Sequence, residues 1–77
     1  VASIPDLVLA ARHPDYFVRR DAAQMLGRVF AREAAPPLLE MLKDDSEVVR
    51  QIAKDSLDQL AEYLDARTKW DERLNRK

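Results

Sequence analysis

The chain has no cysteine, one histidine and one glycine. Without cysteine there is no disulfide framework, no thiolate metal site and no thiol nucleophile. With His13 alone, a multi-histidine metal site is excluded. The single glycine, Gly27, removes every glycine-rich phosphate loop and argues against glycine-turned β-hairpins. Long apolar runs are missing too. The longest is Leu7-Val8-Leu9-Ala10-Ala11, and it ends at Arg12, far short of the roughly 18 residues of a membrane-spanning helix. Neither sign of charge dominates: 13 Lys and Arg stand against 14 Asp and Glu, net −1. That balance argues against a strongly basic nucleic-acid module. The opening Val-Ala-Ser-Ile-Pro has neither a basic n-region nor an apolar h-region, so no signal peptide is expected there and the cytoplasm is the expected location. The first residue is not Met, which fits a processed chain or a piece of a longer one.

What is present is a small helical pattern that repeats. Seventy-seven residues, 47% hydrophobic and 35% charged, suffice for one small domain and do not match a disordered acidic tail. Val18-Arg19, Ala22 and Leu26 fall onto Val49-Arg50, Ala53 and Leu57 at an offset of 31. The same offset carries Pro5, Leu7 and Val8 onto Pro36, Leu38 and Leu39, and the turn His13-Pro14-Asp15 onto Asp44-Asp45-Ser46. One offset that aligns two separate parts of a unit marks an internal repeat.

Each unit reads as helices with start signals. Ser3, Pro5 and Asp6 open a first helix that runs to about Arg12. Pro14 and Asp15 open a second, with its apolar stripe on Val18, Ala22, Met25, Leu26, Val29 and Phe30. Gly27 within that helix is expected to permit close packing. Pro36-Pro37 start a short third helix through Lys43. Asp44-Asp45-Ser46-Glu47 resembles a capping box for a fourth, striped by Val49, Ile52, Ala53, Ser56, Leu57, Leu60 and Leu64.

The run Pro-Asp-x-x-Val-Arg-x-x-Ala-x-x-x-Leu-Gly from Pro14, followed by Ala-x-Pro-x-Leu-x-x-x-Leu, resembles the HEAT repeat and is closest to the phycobilisome-lyase HEAT-like variety. The resemblance implies an all-α fold, a short α-solenoid of antiparallel helix pairs with about four or five helices. It divides the chain into a HEAT-like segment over 1–64 and a basic helix or tail over 65–77. Within the segment, 1–12 is the second helix of a partial unit, 13–43 a full unit and 44–64 the first helix of a further one. Asp58 stands where the full unit has Gly27. The first helix has no preceding mate, so Leu7, Val8 or Leu9 is expected to face an open side. The resemblance also implies that Arg19 and Arg50 form a structural ladder with turn acids, the candidates being Asp15, Asp44 and Asp45. It places the concave side on Ile4–Arg12 and Pro36–Lys43, with Asp6, Arg12, Glu40 and Lys43 as polar partner contacts.

The last 13 residues differ in charge from the rest, with five basic and three acidic side chains. Either a short helix starts at Thr68-Lys69-Trp70-Asp71 or the fourth helix continues. Trp70 and Leu74 lie one helical turn apart, as a cap over the end of the stack or as a partner contact. Tyr16 stands where the next unit has Glu47 and is read as an exposed aromatic, with Phe17 in the core. Tyr63, beside Leu64, is a further aromatic candidate for partner binding. His13 is expected to cap its turn. Asp55 and Asp58 are solvated charges on a helix face, not an acid–base pair, because catalysis needs a pocket and a shifted pKa. No catalytic residue, metal site or cofactor is expected, and no small-molecule substrate. The expected function is a protein-interaction or scaffold module that binds another protein or another copy of itself, off the membrane. Two other readings are an accessory subunit of a bilin-lyase-type enzyme and a weak nucleic-acid binder. The second is disfavoured because acidic residues interleave with Arg19-Arg20 and the Arg73–Lys77 cluster.

Overall fold

The computed structural model describes residues 3–75. Four α-helices and one 3₁₀ turn make up the fold: α1 (Ile4–Ala11), α2 (Tyr16–Arg28), the turn Arg32–Ala34, α3 (Ala35–Met41) and α4 (Glu47–Asn75). Among the described residues there is no strand. The chain is an all-α short solenoid.

α1, α2 and α4 each start where a side chain takes up an orphan N–H. Ser3 Oγ accepts from the Asp6 amide at 3.4 Å, and Asp15 Oδ1 accepts from Phe17 at 2.8 Å. Ser46 Oγ accepts from Val49 at 3.4 Å. The third residue after Ser46 is Val49, not a Glu, so the reciprocal half of the expected capping box is missing. α3 has no side-chain cap; Pro36 and Pro37 sit in its first turn, where a missing N–H costs nothing.

The short helices pair with the long helices that follow them. α1 lies along α2, and α3 lies along α4; α2 against α4 is the most extensive interface. The first helix therefore packs on the helix that follows it. Leu7 is buried and Val8 half-buried, and only Leu9 points to solvent. One core runs through both pairs, built on Leu7, Ala23, Leu26, Leu38, Met41, Val49, Ala53 and Leu60. The expected α4 stripe is the buried one. In α2 it is shifted. Ala23 is fully buried, whereas Met25 and Phe30 are each 46% exposed.

α2 stops at Arg28 because Phe30 adopts a left-handed backbone, φ 50°. That conformation is unfavourable for a side chain with a Cβ. The Phe30 ring packs on Tyr63 of α4 at 5.1 Å between centroids, which holds the turn in place. α4 meets no such stop. Where α2 and its turn carry Val29-Phe30-Ala31 and then Pro36-Pro37, α4 carries Leu60-Ala61-Glu62 and then Arg67-Thr68. It therefore runs unbroken for 29 residues, about 43 Å at 1.5 Å per residue. It accounts for most of the 52 Å long axis of the molecule.

Candidate functional site

The turns that join the helix pairs are tied by one arginine. Arg19, on the first turn of α2, donates from Nη1 to the carbonyls of His13 (3.0 Å) and Pro14 (2.8 Å) in its own turn. Its other edge crosses to the next turn. Nε reaches Asp44 Oδ2 at 2.9 Å, and Nη2 reaches Asp44 Oδ1 at 3.3 Å and Asp45 Oδ1 at 3.2 Å. The Arg19 and Asp44 side chains are only 15% and 8% exposed, so this two-pronged pair is shielded from solvent screening. Asp44 Oδ1 also accepts from the Ser46 amide at 2.9 Å. Of the three acids offered to the ladder, Asp44 and Asp45 take part; Asp15 caps α2 instead. Arg50 meets no carboxylate among the described residues. Its Nη1 donates to the Asp44 carbonyl at 2.6 Å. His13 caps its turn as expected, its Nδ1 accepting from the Asp15 amide at 2.9 Å.

This arrangement shifts two titrations. The hydrogen bond to Asp44 raises the Arg19 pKa. Burial pushes the Asp44 carboxyl up, but the Ser46 amide and the Arg19 guanidinium together outweigh it and hold the group below 3.8. A carboxylate whose folded pKa is depressed contributes stability above its unfolded pKa, and the contribution is lost as pH falls through the folded value. Asp44→Asn is expected to melt below the wild type at neutral pH, with the gap closing as acid protonates Asp44. Melting temperatures of both proteins from pH 7 to pH 2 check this; parallel profiles would show that the pair is not coupled to folding.

The side formed by α1 and α3 carries most of the expected polar contacts. Arg12 Nη2 and Glu40 Oε2 lie 3.4 Å apart, both side chains about two-thirds exposed, so the pair is weak. Lys43 is exposed nearby in sequence, at the end of α3, and Asp6 is exposed on α1, where it accepts from Ser3 Oγ at 3.0 Å. Val8 and Pro37 line a shallow groove between the two helices beside Arg12 and Glu40. Leu9 and Leu39 are exposed on the same two helices.

The far end of α4 is the other candidate. Beyond Leu64 every described side chain on α4 is exposed, so the helix overhangs the body. Tyr63, Trp70 and Leu74 follow one another at spacings of seven and four, which keeps them on one stripe. Tyr63 is half-buried against Phe30, whereas Trp70 is 62% and Leu74 75% exposed. The Arg73 guanidinium lies 5.9 Å from the Trp70 ring. The expected capping role for Trp70 fails: the helix carrying it never turns back over the stack. Between the overhang and the α2–α3 turn runs a groove of about 350 Å³, lined by Phe30, Arg32, Leu64, Arg67 and Asp71 among others.

Tyr16 and Phe17 exchange their expected roles. The Asp15 cap sets Tyr16 as the first residue of α2, half-buried against the core, and turns Phe17 to solvent. Arg20 lies over the Phe17 ring at 5.1 Å. The spacing alone also gave no sign of the Phe30–Tyr63 contact.

Among the described residues no group of His, Asp and Glu is placed to hold a metal ion, and no helix is long and apolar enough to cross a membrane. No curated protein matches the chain. The family model for HEAT repeats matches residues 2–58, which takes in α1, α2, α3 and the start of α4 and stops before the overhang.

Proposed function

Because the chain belongs to the HEAT-repeat family, whose members typically serve as protein-interaction scaffolds and are generally not catalysts, we propose that it is a cytoplasmic interaction module that holds a partner protein, or a second copy, on the overhanging end of α4. The observation that carries this reading is the exposure of Trp70 and Leu74 on one stripe of α4, beyond Leu64, where every described side chain is exposed. Tryptophan is enriched at the energetic centres of interfaces, and isolated exposed side chains contribute little to folding. The Arg12–Glu40 face, with Lys43 at its edge, is a second, more polar contact surface.

Trp70→Ala is therefore expected to leave stability within about 0.5 kcal/mol while weakening association by about tenfold or more. Light scattering behind a sizing column, over a concentration series, reads self-association. A photo-crosslinker at position 74 reads contact with a different partner. If Trp70→Ala lowers the melting temperature strongly and leaves association unchanged, the stripe is structural and the proposal fails.

A second reading, an accessory subunit of a bilin-attaching enzyme, rests on the sequence resemblance of the Pro14–Lys43 unit alone. Visible absorbance on mixing with a free bilin tests it, and an unchanged bilin spectrum removes it.

A further inference from the structure

Arg19 and Arg50 are equivalent by the 31-residue repeat, and their surroundings match bond for bond up to a point. Nη1 of Arg19 donates to the carbonyl six residues back, His13; Nη1 of Arg50 donates to the carbonyl six residues back, Asp44. In each turn the same position also accepts the amide two residues on: His13 Nδ1 from Asp15 and Asp44 Oδ1 from Ser46, both at 2.9 Å. With Nη1 anchored, the Nε–Nη2 edge of Arg19 is filled by Asp44 and Asp45 from the following turn. The corresponding edge of Arg50 meets no acceptor among the described residues. No described residue takes that place by the repeat. The position 31 residues beyond Asp44 is 75, and it lies on α4, about 37 Å along the helix from Arg50 at 1.5 Å per residue.

A second copy is the wrong occupant in this register. The turn it would bring to Arg50 is His13-Pro14 in place of Asp44-Asp45, and the imidazole Nδ1 is already taken. The helix behind that turn would also meet Lys54 and Asp58 on α4, where α4 itself meets Ala23 and Gly27 on α2. Lys54 is exposed one helical turn beyond Arg50, on a stripe that also carries the exposed Glu47 and Asp58. A planar guanidinium with a free two-donor edge suits a carboxylate. We infer that Arg50 is a docking point for an acidic helix-start turn of a different protein, one that places an aspartate against Nε and Nη2 as Asp44 does against Arg19. The site is separate from the overhang, so it stands whether or not Trp70 binds anything.

The test uses the full chain with its arginine side-chain nitrogens observed by NMR. The probe is the peptide acetyl-Asp-Asp-Ser-Glu-Val-amide, which carries the turn that Arg19 already holds. The expected result is a saturable shift of Arg50 Nε–H, with Arg19 unmoved, and binding about tenfold weaker when both aspartates of the peptide are asparagine. Arg50 unmoved at millimolar peptide overturns the inference. So does a midpoint shared with the exposed Arg28 and Arg67, or equal binding of the asparagine peptide. Inorganic phosphate in a parallel titration separates the anions; a shift of Arg50 at lower phosphate than peptide concentration overturns the carboxylate assignment.

Discussion

Gly27→Ala is expected to destabilise the chain by about 2 kcal/mol, although alanine is favoured over glycine within a helix by about 1 kcal/mol. An added Cβ would stand 2.6 Å from both Cβ and Oγ of Ser56 and 3.1 Å from its Cα. None of these is the loose end of a flexible side chain. Ser56 is buried, and its Oγ donates to the Ala23 carbonyl at 2.9 Å. To admit the methyl group α4 must draw back from α2, which loosens the packing of Leu26, Val49 and Leu60 and stretches that buried hydrogen bond. A buried hydroxyl left half-satisfied adds a penalty of about 1 kcal/mol or more. For a domain of this size the melting temperature should fall by roughly 8–16 °C, read by circular dichroism at 222 nm. Ser56→Gly in the same background should recover part of the loss, because the two positions share one space. A melting temperature above that of the wild type would mean that the helices do not cross this closely.

The helix starts were legible because their causes are local. Ser3, Asp15, Ser46 and the Pro36-Pro37 pair each act on a neighbouring amide or on their own backbone, and the 31-residue offset carries one start onto the next. Gly27 was legible as a close-packing residue for a similar reason: a glycine inside a helical pattern needs an explanation, and close approach is the usual one. What stayed hidden depends on partners distant in sequence. Nothing about Phe30 marks it for a left-handed backbone. Its apolar side chain extends the α2 stripe on paper, and only the ring of Tyr63, 33 residues on, decides otherwise. Ala23 is too small to weigh in a hydrophobic pattern, yet smallness is what the crossing with Ser56 requires. Met25 fits the period of α2 but falls between the faces that α1 and α4 cover. Arg50 has the type and spacing of Arg19. Its different fate comes from α4 running on past the point where α2 stops, so the turn that would face Arg50 by the repeat is not formed within α4.

Leu38→Ala is expected to cost about 3 kcal/mol, and its repeat counterpart Leu7→Ala less, about 2 kcal/mol. α3 is seven residues long, too short to hold a helix by its own hydrogen bonds. Its place rests on two buried side chains, Leu38 and Met41. Leu38 is wholly enclosed between α3 and the rest of the core, so its removal leaves a cavity that the surroundings cannot easily close. Leu7 sits on α1, which packs mainly against one neighbour, α2, so α1 can settle onto that helix when the side chain is cut back. The turn after α3 sharpens the difference, because it carries Asp44, the carboxylate that Arg19 holds. Loosening α3 therefore weakens a polar contact as well as an apolar one, whereas the turn after α1 is held by Arg19 through backbone carbonyls. In a domain below about 80 residues, whose total stability is only a few kcal/mol, Leu38→Ala should leave a substantial unfolded population at 25 °C while Leu7→Ala remains mostly folded. Urea titrations of the two variants give the order directly. Equal losses would mean that the first helix pair is as enclosed as the second and that the rung at Asp44 adds nothing to the hold on α3.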